Sequence, residues 1–129
     1  MATTIDIPQM YNAANHFIDR HSDRTPGNRI AYTDYAGDWT YQQLVAMVNQ
    51  AGNVLSNLGL KEKQRVLMCM TDSVLFPAVF WGAIKIGAIP VPVNTMLTDT
   101  DYAYMLDDSG ARILVISESL YPNFATQLD

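Results

Sequence analysis

One cysteine, two histidines, eight basic residues and no neighbouring glycines: these scarcities narrow what the chain can do. Cys69 on its own excludes an internal disulfide and suits a reducing compartment, so a cytoplasmic protein is expected. His16 and His21 both fall near the N-terminus, on an expected helix and its end. A metal site there would need further ligands close by, and a solvated helix face explains them better. The seven glycines stand singly, at Gly27, Gly37, Gly52, Gly59, Gly82, Gly87 and Gly110. Neither a dinucleotide fingerprint nor a Walker-type loop is present, because both need closely spaced glycines to bring backbone amides up to a phosphate.

Positive charge is also short. Eight basic against thirteen acidic residues leave −5, and only Lys61, Lys63 and Arg65 lie close together. Phosphate-backbone binding needs clustered Lys and Arg, so no nucleic-acid partner is expected. The longest apolar region, residues 74–93, carries one charge, Lys85, and is interrupted by Pro77, Gly82, Gly87, Pro90 and Pro92. A buried helix followed by a buried strand fits it better than a membrane span. The opening Met-Ala-Thr-Thr-Ile-Asp is neither basic nor apolar, so no signal peptide is expected.

What the chain does have is apolar bulk: 49% hydrophobic against 16% charged residues, over 129 positions. That is enough for one globular domain burying about two thirds of its unfolded surface. Tyr11, Ala14, Phe17 and Ile18 form a stripe on a short first helix, with Pro8 near its start. Residues 23–28 are a polar loop. Ile30 to Tyr35 alternates, and Ala36-Gly37-Asp38 turns it back toward Trp39-Thr40, a hairpin signal. Thr40 and Gln43 make a capping box for a helix carrying Leu44, Met47, Val48, Ala51, Leu55 and Leu58. Gly59 stops it, and Leu60 folds back onto its last turn.

Val66 to Met70 is apolar throughout, too short for a helix, and reads as a buried strand. Asp72 or Ser73 caps the next helix, about Val74 to Ile86, which is apolar nearly all round. Gly87 ends it, and Ala88 to Val93 is extended, with two prolines that limit it to full pairing on one side at most. Thr98 and Asp101 form a second capping box ahead of Tyr102, Met105 and Leu106, and Gly110 terminates that helix. Arg112 to Ile116 is a strand, and Ser117 opens a last helix with Leu120, Phe124 and Leu128. Strands alternating with helices through short loops define an α/β fold: a parallel sheet core in βαβ units with flanking helices, plus an N-terminal hairpin. The last pattern runs out at Leu128-Asp129 with no glycine stop, which points to a truncated chain.

Few residues carry chemistry. Asp72 follows directly on a strand, where open parallel sheets place functional groups, although capping explains it as well. Cys69 inside a buried strand is core filling, as are Met47, Met68, Met70 and Met105. No nucleophile motif supports a Ser–His–acid triad.

Three stretches together resemble one family. Thr40-Tyr41-Gln42-Gln43-Leu44 is similar to the T-Y-x-x-L opening of the first long helix in adenylate-forming enzymes, the acyl-CoA synthetase superfamily. Gly59-Leu60 through Arg65-Val66 resembles their G-L-x-x-x-x-R-V entry to the first core strand. Gly82-Ala83 through Gly87-Ala88 to Pro92 and Asn94 is similar to their G-A-x-x-x-G-A-x-x-x-P-x-N signature. The following Thr95-Met96-Leu97-Thr98-Asp99-Thr100-Asp101-Tyr102-Ala103-Tyr104-Met105-Leu106 resembles the benzoate–CoA ligase branch.

The resemblance covers nearly everything beyond the first ten residues. It implies that residues 1–129 are the N-terminal portion of the large domain of an ATP-dependent acid–CoA ligase. Such an enzyme uses ATP, Mg²⁺ and coenzyme A, and passes an aromatic carboxylate through an acyl-adenylate to the thiol. It also implies that the phosphate loop, the acid pocket, the ribose contact and the C-terminal lysine lie downstream of Asp129. No residue here matches a catalytic position, so the chain alone is expected to be inactive. The family runs coenzyme A past the segment at Asn94, so Asn94, Thr95 and Met96 are candidate cofactor contacts; capping of its own loop by Asn94 is the alternative, and the lack of a basic residue near Met96 argues against a phosphate contact. The expected partners are the remainder of the ligase chain and a small aromatic acid, with self-association through uncovered apolar surface or strand edges. Two other readings compete. A receiver-like or flavodoxin-like module would need acidic residues at strand ends and a late lysine, and none follows Lys85. A stand-alone interaction module would pair through its unfinished sheet.

Overall fold

The computed structural model describes residues 4–22 and 28–128. Its centre is β3 (Arg65–Cys69), in which Val66, Leu67, Met68 and Cys69 are fully buried. An apolar run without alternation has to be covered on both faces. Val66 and Met68 pack with Leu55, Leu60 and Ala83 on one side; Leu67 and Cys69 pack with Tyr102 and Phe124 on the other. Two shorter strands, β4 (Ile89–Pro92) and β5 (Ile113–Ile116), flank it in parallel, in the order β4-β3-β5. The α/β reading therefore holds, with the two-proline strand at an edge. An antiparallel hairpin of β1 (Ile30–Asp34) and β2 (Gly37–Thr40) stands apart from this sheet. It turns at Tyr35-Ala36, slightly earlier than the glycine suggests.

Among the described residues, four α-helices complete the frame: α1 (Ala13–Phe17), α2 (Tyr41–Asn57), α3 (Leu75–Lys85) and α4 (Asp99–Ser109). Both capping boxes form, Thr40 with Gln43 and Thr98 with Asp101, each satisfying two free amides reciprocally. At the other end of α2, Leu60 N–H bonds to Leu55 O and Gly59 N–H to Ser56 O, with Gly59 at φ +89°. This is the glycine stop read from sequence, and Leu60 is buried as expected.

The two middle helices touch through glycine. A Cβ built on Gly82 of α3 would lie 2.8 Å from Gly52 N and 2.9 Å from Val48 O of α2. With no side chain there the backbones meet directly, and Val48 and Gly52 are buried at the crossing. At the start of α3, neither Asp72 nor Ser73 provides the main cap. The hairpin does: Asp34 Oδ2 accepts from Val74 N at 2.8 Å, while its Oδ1 accepts from Ala36 N and from Trp39 Nε1. Ser73 Oγ takes only Leu75 N, at 3.3 Å. A carboxylate forty residues upstream outcompetes the local candidates because it is fixed by the turn it closes.

Other expectations are corrected. Pro8 and Tyr11 precede α1, whose cap is Asn12; the same side chain donates from Nδ2 to Ile84 O at the end of α3, tying the two helices together. Of the stripe, Ala14 and Ile18 are buried while Tyr11 and Phe17 are half exposed. Leu58 is two-thirds exposed rather than core. The last helix is a chain of 3₁₀ turns, Glu118–Gln127, because Pro122 lacks an N–H and cannot sit inside an α-helical ladder. Phe124 is buried all the same, stacked 4.5 Å from Tyr102. The loop expected at 23–28 lies, apart from Asn28, outside the described residues.

Gly82→Ala gains about 1 kcal/mol of helix propensity but forces two backbones apart, at about 1–3 kcal/mol for overpacking. Because the obstructing atoms are main chain, a net loss in denaturant-unfolding stability is expected; a gain would mean that the crossing has slack.

The second prediction concerns acid. Hydrogen bonds, led by the Val74 amide and then the Trp39 indole, hold the Asp34 carboxyl below its ordinary value. Its contribution is thus complete above the unfolded value of about 3.9 and is lost as pH falls through the lowered folded one. Thermal midpoints of Asp34→Asn should therefore fall less steeply than the native ones between about pH 5 and about pH 2. Parallel curves would exclude a role for the charge.

Candidate functional site

In an open parallel sheet, ligands gather beyond the carboxyl ends of the strands. Here that end carries the loops after β3, β4 and β5. The β4 loop runs through Val93, Asn94, Thr95, Met96 and Leu97 to the α4 cap at Thr98. Its geometry is fixed from both sides. Asn94 Oδ1 accepts from Met96 N at 2.8 Å, an Asx turn. Beneath, the fully buried Tyr102 donates its hydroxyl to Asn94 O at 2.7 Å and accepts from Leu97 N at 3.3 Å. Burial, reinforced by the Cys69 thiol, pushes the Tyr102 phenol above its ordinary value, so it remains a donor at neutral pH.

Of the three candidates, Asn94 is exposed but spends its side-chain oxygen on its own loop. Thr95 is half buried, and Met96 is 88% exposed. The loop thus offers an apolar tip at Met96. Tyr102 was legible in the sequence only as core, through its place on the helix after a capping box; its hydroxyl is what shapes the loop.

Beyond β3 and β5, Thr71 N donates to Ser117 Oγ at 2.9 Å and the two hydroxyls lie 3.1 Å apart, joining these loops. A hollow of about 620 Å³ sits beside them, lined by Tyr35, Met70, Ser73, Val79, Val115 and Ser119 among others. Asp72 is exposed there and does not cap α3. His16 lies against Tyr11 and Phe17, and His21 against Tyr41, so neither reaches this end of the sheet. Cys69 is fully buried under Tyr102.

The residues present do not fit a nucleotide–Mg²⁺ site. Among the described residues no group of three His, Cys, Asp or Glu side chains could hold a metal ion. The glycines of the helix–strand signature are already accounted for: Gly82 by the crossing with α2, and Gly87 by its φ of +78° and by Glu62, which a Cβ would meet at 2.8 Å. None of them cradles a phosphate.

A family model described as AMP-binding enzyme matches residues 18–128. The chain belongs to this family. It is 47% identical over 125 residues to a benzoate–CoA ligase of Thauera aromatica, covering 96% of this chain and 24% of that one. A 4-hydroxybenzoate–CoA/benzoate–CoA ligase of Rhodopseudomonas palustris is 38% identical, with 87% of this chain and 21% of the other covered. Among solved structures, a benzoate CoA ligase from Burkholderia xenovorans superimposes with a TM-score of 0.86 at 35% identity, over 92% of this chain and 24% of that one. The chain thus spans about a quarter of the length of these relatives, and its fold is a partial one within theirs. In this chain the family signature residues form capping boxes, a helix crossing, a helix stop and a proline edge. No described helix is long and apolar enough to cross a membrane.

Replacing Tyr102 by Phe leaves Asn94 O and Leu97 N without their partner, which costs about 1–3 kcal/mol. Amide exchange at Leu97 should accelerate while amides of α2 keep their protection. Unchanged exchange at Leu97 would mean that the loop holds its shape without the hydroxyl.

Proposed function

We propose that residues 1–129 form the N-terminal portion of the large domain of an ATP-dependent acid–CoA ligase acting on benzoate or a closely related aromatic carboxylate. The 47% identity to a benzoate–CoA ligase over almost the whole chain carries this reading. In the parent reaction, a carboxylate oxygen would attack the α-phosphate of ATP, breaking the α–β bond and releasing pyrophosphate to leave an acyl-adenylate, with Mg²⁺ neutralising phosphate charge when bound; the thiol of coenzyme A would then take the acyl group and release AMP. This chain's residues take no part in the adenylyl-transfer step. Their part is the frame, the β3–α3–β4 crossover and the Tyr102-held loop, which presents Thr95 and Met96 toward coenzyme A.

Near Met96 the sequence holds no basic residue. The loop therefore suits the uncharged arm of coenzyme A rather than its phosphates. Asn94 serves the loop's shape, as its bond to Met96 N supports. The single buried thiol is consistent with a cytoplasmic setting.

The parent chain, supplied with benzoate, ATP and coenzyme A, should form benzoyl-CoA. The 129-residue chain should give no benzoate-dependent ATP–pyrophosphate exchange. Exchange by the short chain would overturn the assignment of the catalytic groups to the rest of the ligase. A parent that adenylates other acids but rejects benzoate and hydroxybenzoates would overturn the aromatic reading.

A further inference from the structure

Among the described residues Tyr102 is the largest fully buried side chain, and its packing does not require a hydroxyl. The ring stacks 4.5 Å from Phe124 and belongs to the same buried layer as Leu67 and Cys69 of β3. A phenylalanine would fill that space. A buried hydroxyl is costly unless it is hydrogen-bonded, and this one is bonded twice, to Asn94 O at 2.7 Å and from Leu97 N at 3.3 Å. Those two main-chain groups bracket Thr95 and Met96.

The oxygen that joins them is itself fixed. Tyr102 stands one position beyond the Thr98–Asp101 capping box, and its own amide donates to Thr98 O. The stack on Phe124 sets the direction of its ring. At the other end the loop leaves the sheet through the bond from Val93 N to Met68 O. Asn94 adds a tie of its own by accepting from Met96 N. The loop is therefore shaped around one immobile oxygen, and every residue that immobilises it lies within this chain. A segment already held in one shape loses no freedom when a ligand arrives, and the binding constant gains accordingly.

We propose that Tyr102 is a positioning residue for the thioester-forming half of the reaction: by holding Asn94–Leu97 it sets the affinity of the parent ligase for coenzyme A and leaves adenylate formation unchanged. This rests on the reading that the loop presents Thr95 and Met96 toward coenzyme A. In that half the coenzyme A sulfur bonds to the acyl carbon, its proton passes to solvent, and the bond from that carbon to the AMP oxygen breaks. Tyr102 is fully buried and touches none of these atoms. It acts only through the loop.

In the parent ligase, Tyr102→Phe keeps the ring and its stack while removing the oxygen. The KM for coenzyme A should rise about tenfold. Benzoate-dependent ATP–pyrophosphate exchange should keep its native rate. So should trapping of the adenylate by hydroxylamine, a nucleophile too small to need the loop. Asn94→Ala, at an exposed position where folding is not at stake, removes the second tie and should raise the same constant. Asn94→Ser keeps a weaker acceptor for Met96 N and should fall between Asn94→Ala and the native enzyme. Met96→Glu changes the loop's tip without touching its shape and tests the underlying reading. If it leaves the KM for coenzyme A unchanged, the loop lies away from coenzyme A and both the reading and the proposal fall. If it raises that constant while Tyr102→Phe and Asn94→Ala do not, the positioning role alone is overturned. Exchange and hydroxylamine trapping that decline in step with thioester formation would overturn it too, leaving Tyr102 a residue of the fold only.

Discussion

A place with no side chain sets most of this structure. Gly82 of α3 lies against Gly52 and Val48 of α2 closely enough that a methyl group on Gly82 would overlap main-chain atoms. That contact puts both helices on the same face of the sheet and gives Leu55, Leu60 and Ala83 one common layer over Val66 and Met68. Asp34 and Asn12 then hold the two ends of α3, the first by capping Val74 and the second by accepting the geometry at Ile84 and bonding its carbonyl. The hairpin and the first helix are thus attached to the sheet through the ends of one helix whose middle is fixed by glycine.

Much of this was legible from residue order. A capping box is a local device, since its two partners lie three residues apart and their geometry follows from the helix start, so Thr40 with Gln43 and Thr98 with Asp101 could be read directly. The Gly59-Leu60 stop is local in the same sense. What could not be read depends on distance in the chain. Nothing near Ser73 says that Asp34 will take the Val74 amide, and nothing near Asn12 says that it will reach Ile84. Leu58 fails for a related reason. Helical spacing assigns it to the apolar face, but whether that part of the face is covered depends on what lies beside β5. Pro122 is different, because its effect on the last segment is local, whereas the spacing of Leu120, Phe124 and Leu128 taken alone suggests a regular helix.

The candidate loop shows the same division. Asn94, Thr95 and Met96 are contiguous, so their proximity was certain; their roles were not. Asn94 turns inward to the loop's own backbone, whereas Met96 is left at the tip. The residue that decides this is Tyr102, eight positions on, which a periodicity argument sees only as core. Its body stacks on Phe124 while its hydroxyl binds two main-chain groups of the loop, so core packing and loop shape depend on one side chain. A signature spanning the helix, the strand and this loop is therefore best understood as a folding specification. Its glycines permit close approach, its prolines end a sheet, and its tyrosine sets a loop.

The prolines of β4 bear on the order in which such a sheet can be built. Ile89 N and Val93 N donate to β3, so a strand added on the β4 side would find no outward N–H at positions 90 and 92, whatever its own sequence. Every extension must therefore come on the β5 side, where Arg112 N donates to β3 and Ile113 and Val115 still have both groups to offer. This asymmetry requires the prolines to occupy alternate positions of the right phase. Moved by one residue, they would remove donors from the β3 ladder instead, and β4 would lose the bonds that hold it. The same pair of residues thus permits the inner ladder and forbids an outer one, so the direction of growth is a property of side-chain phase along four residues.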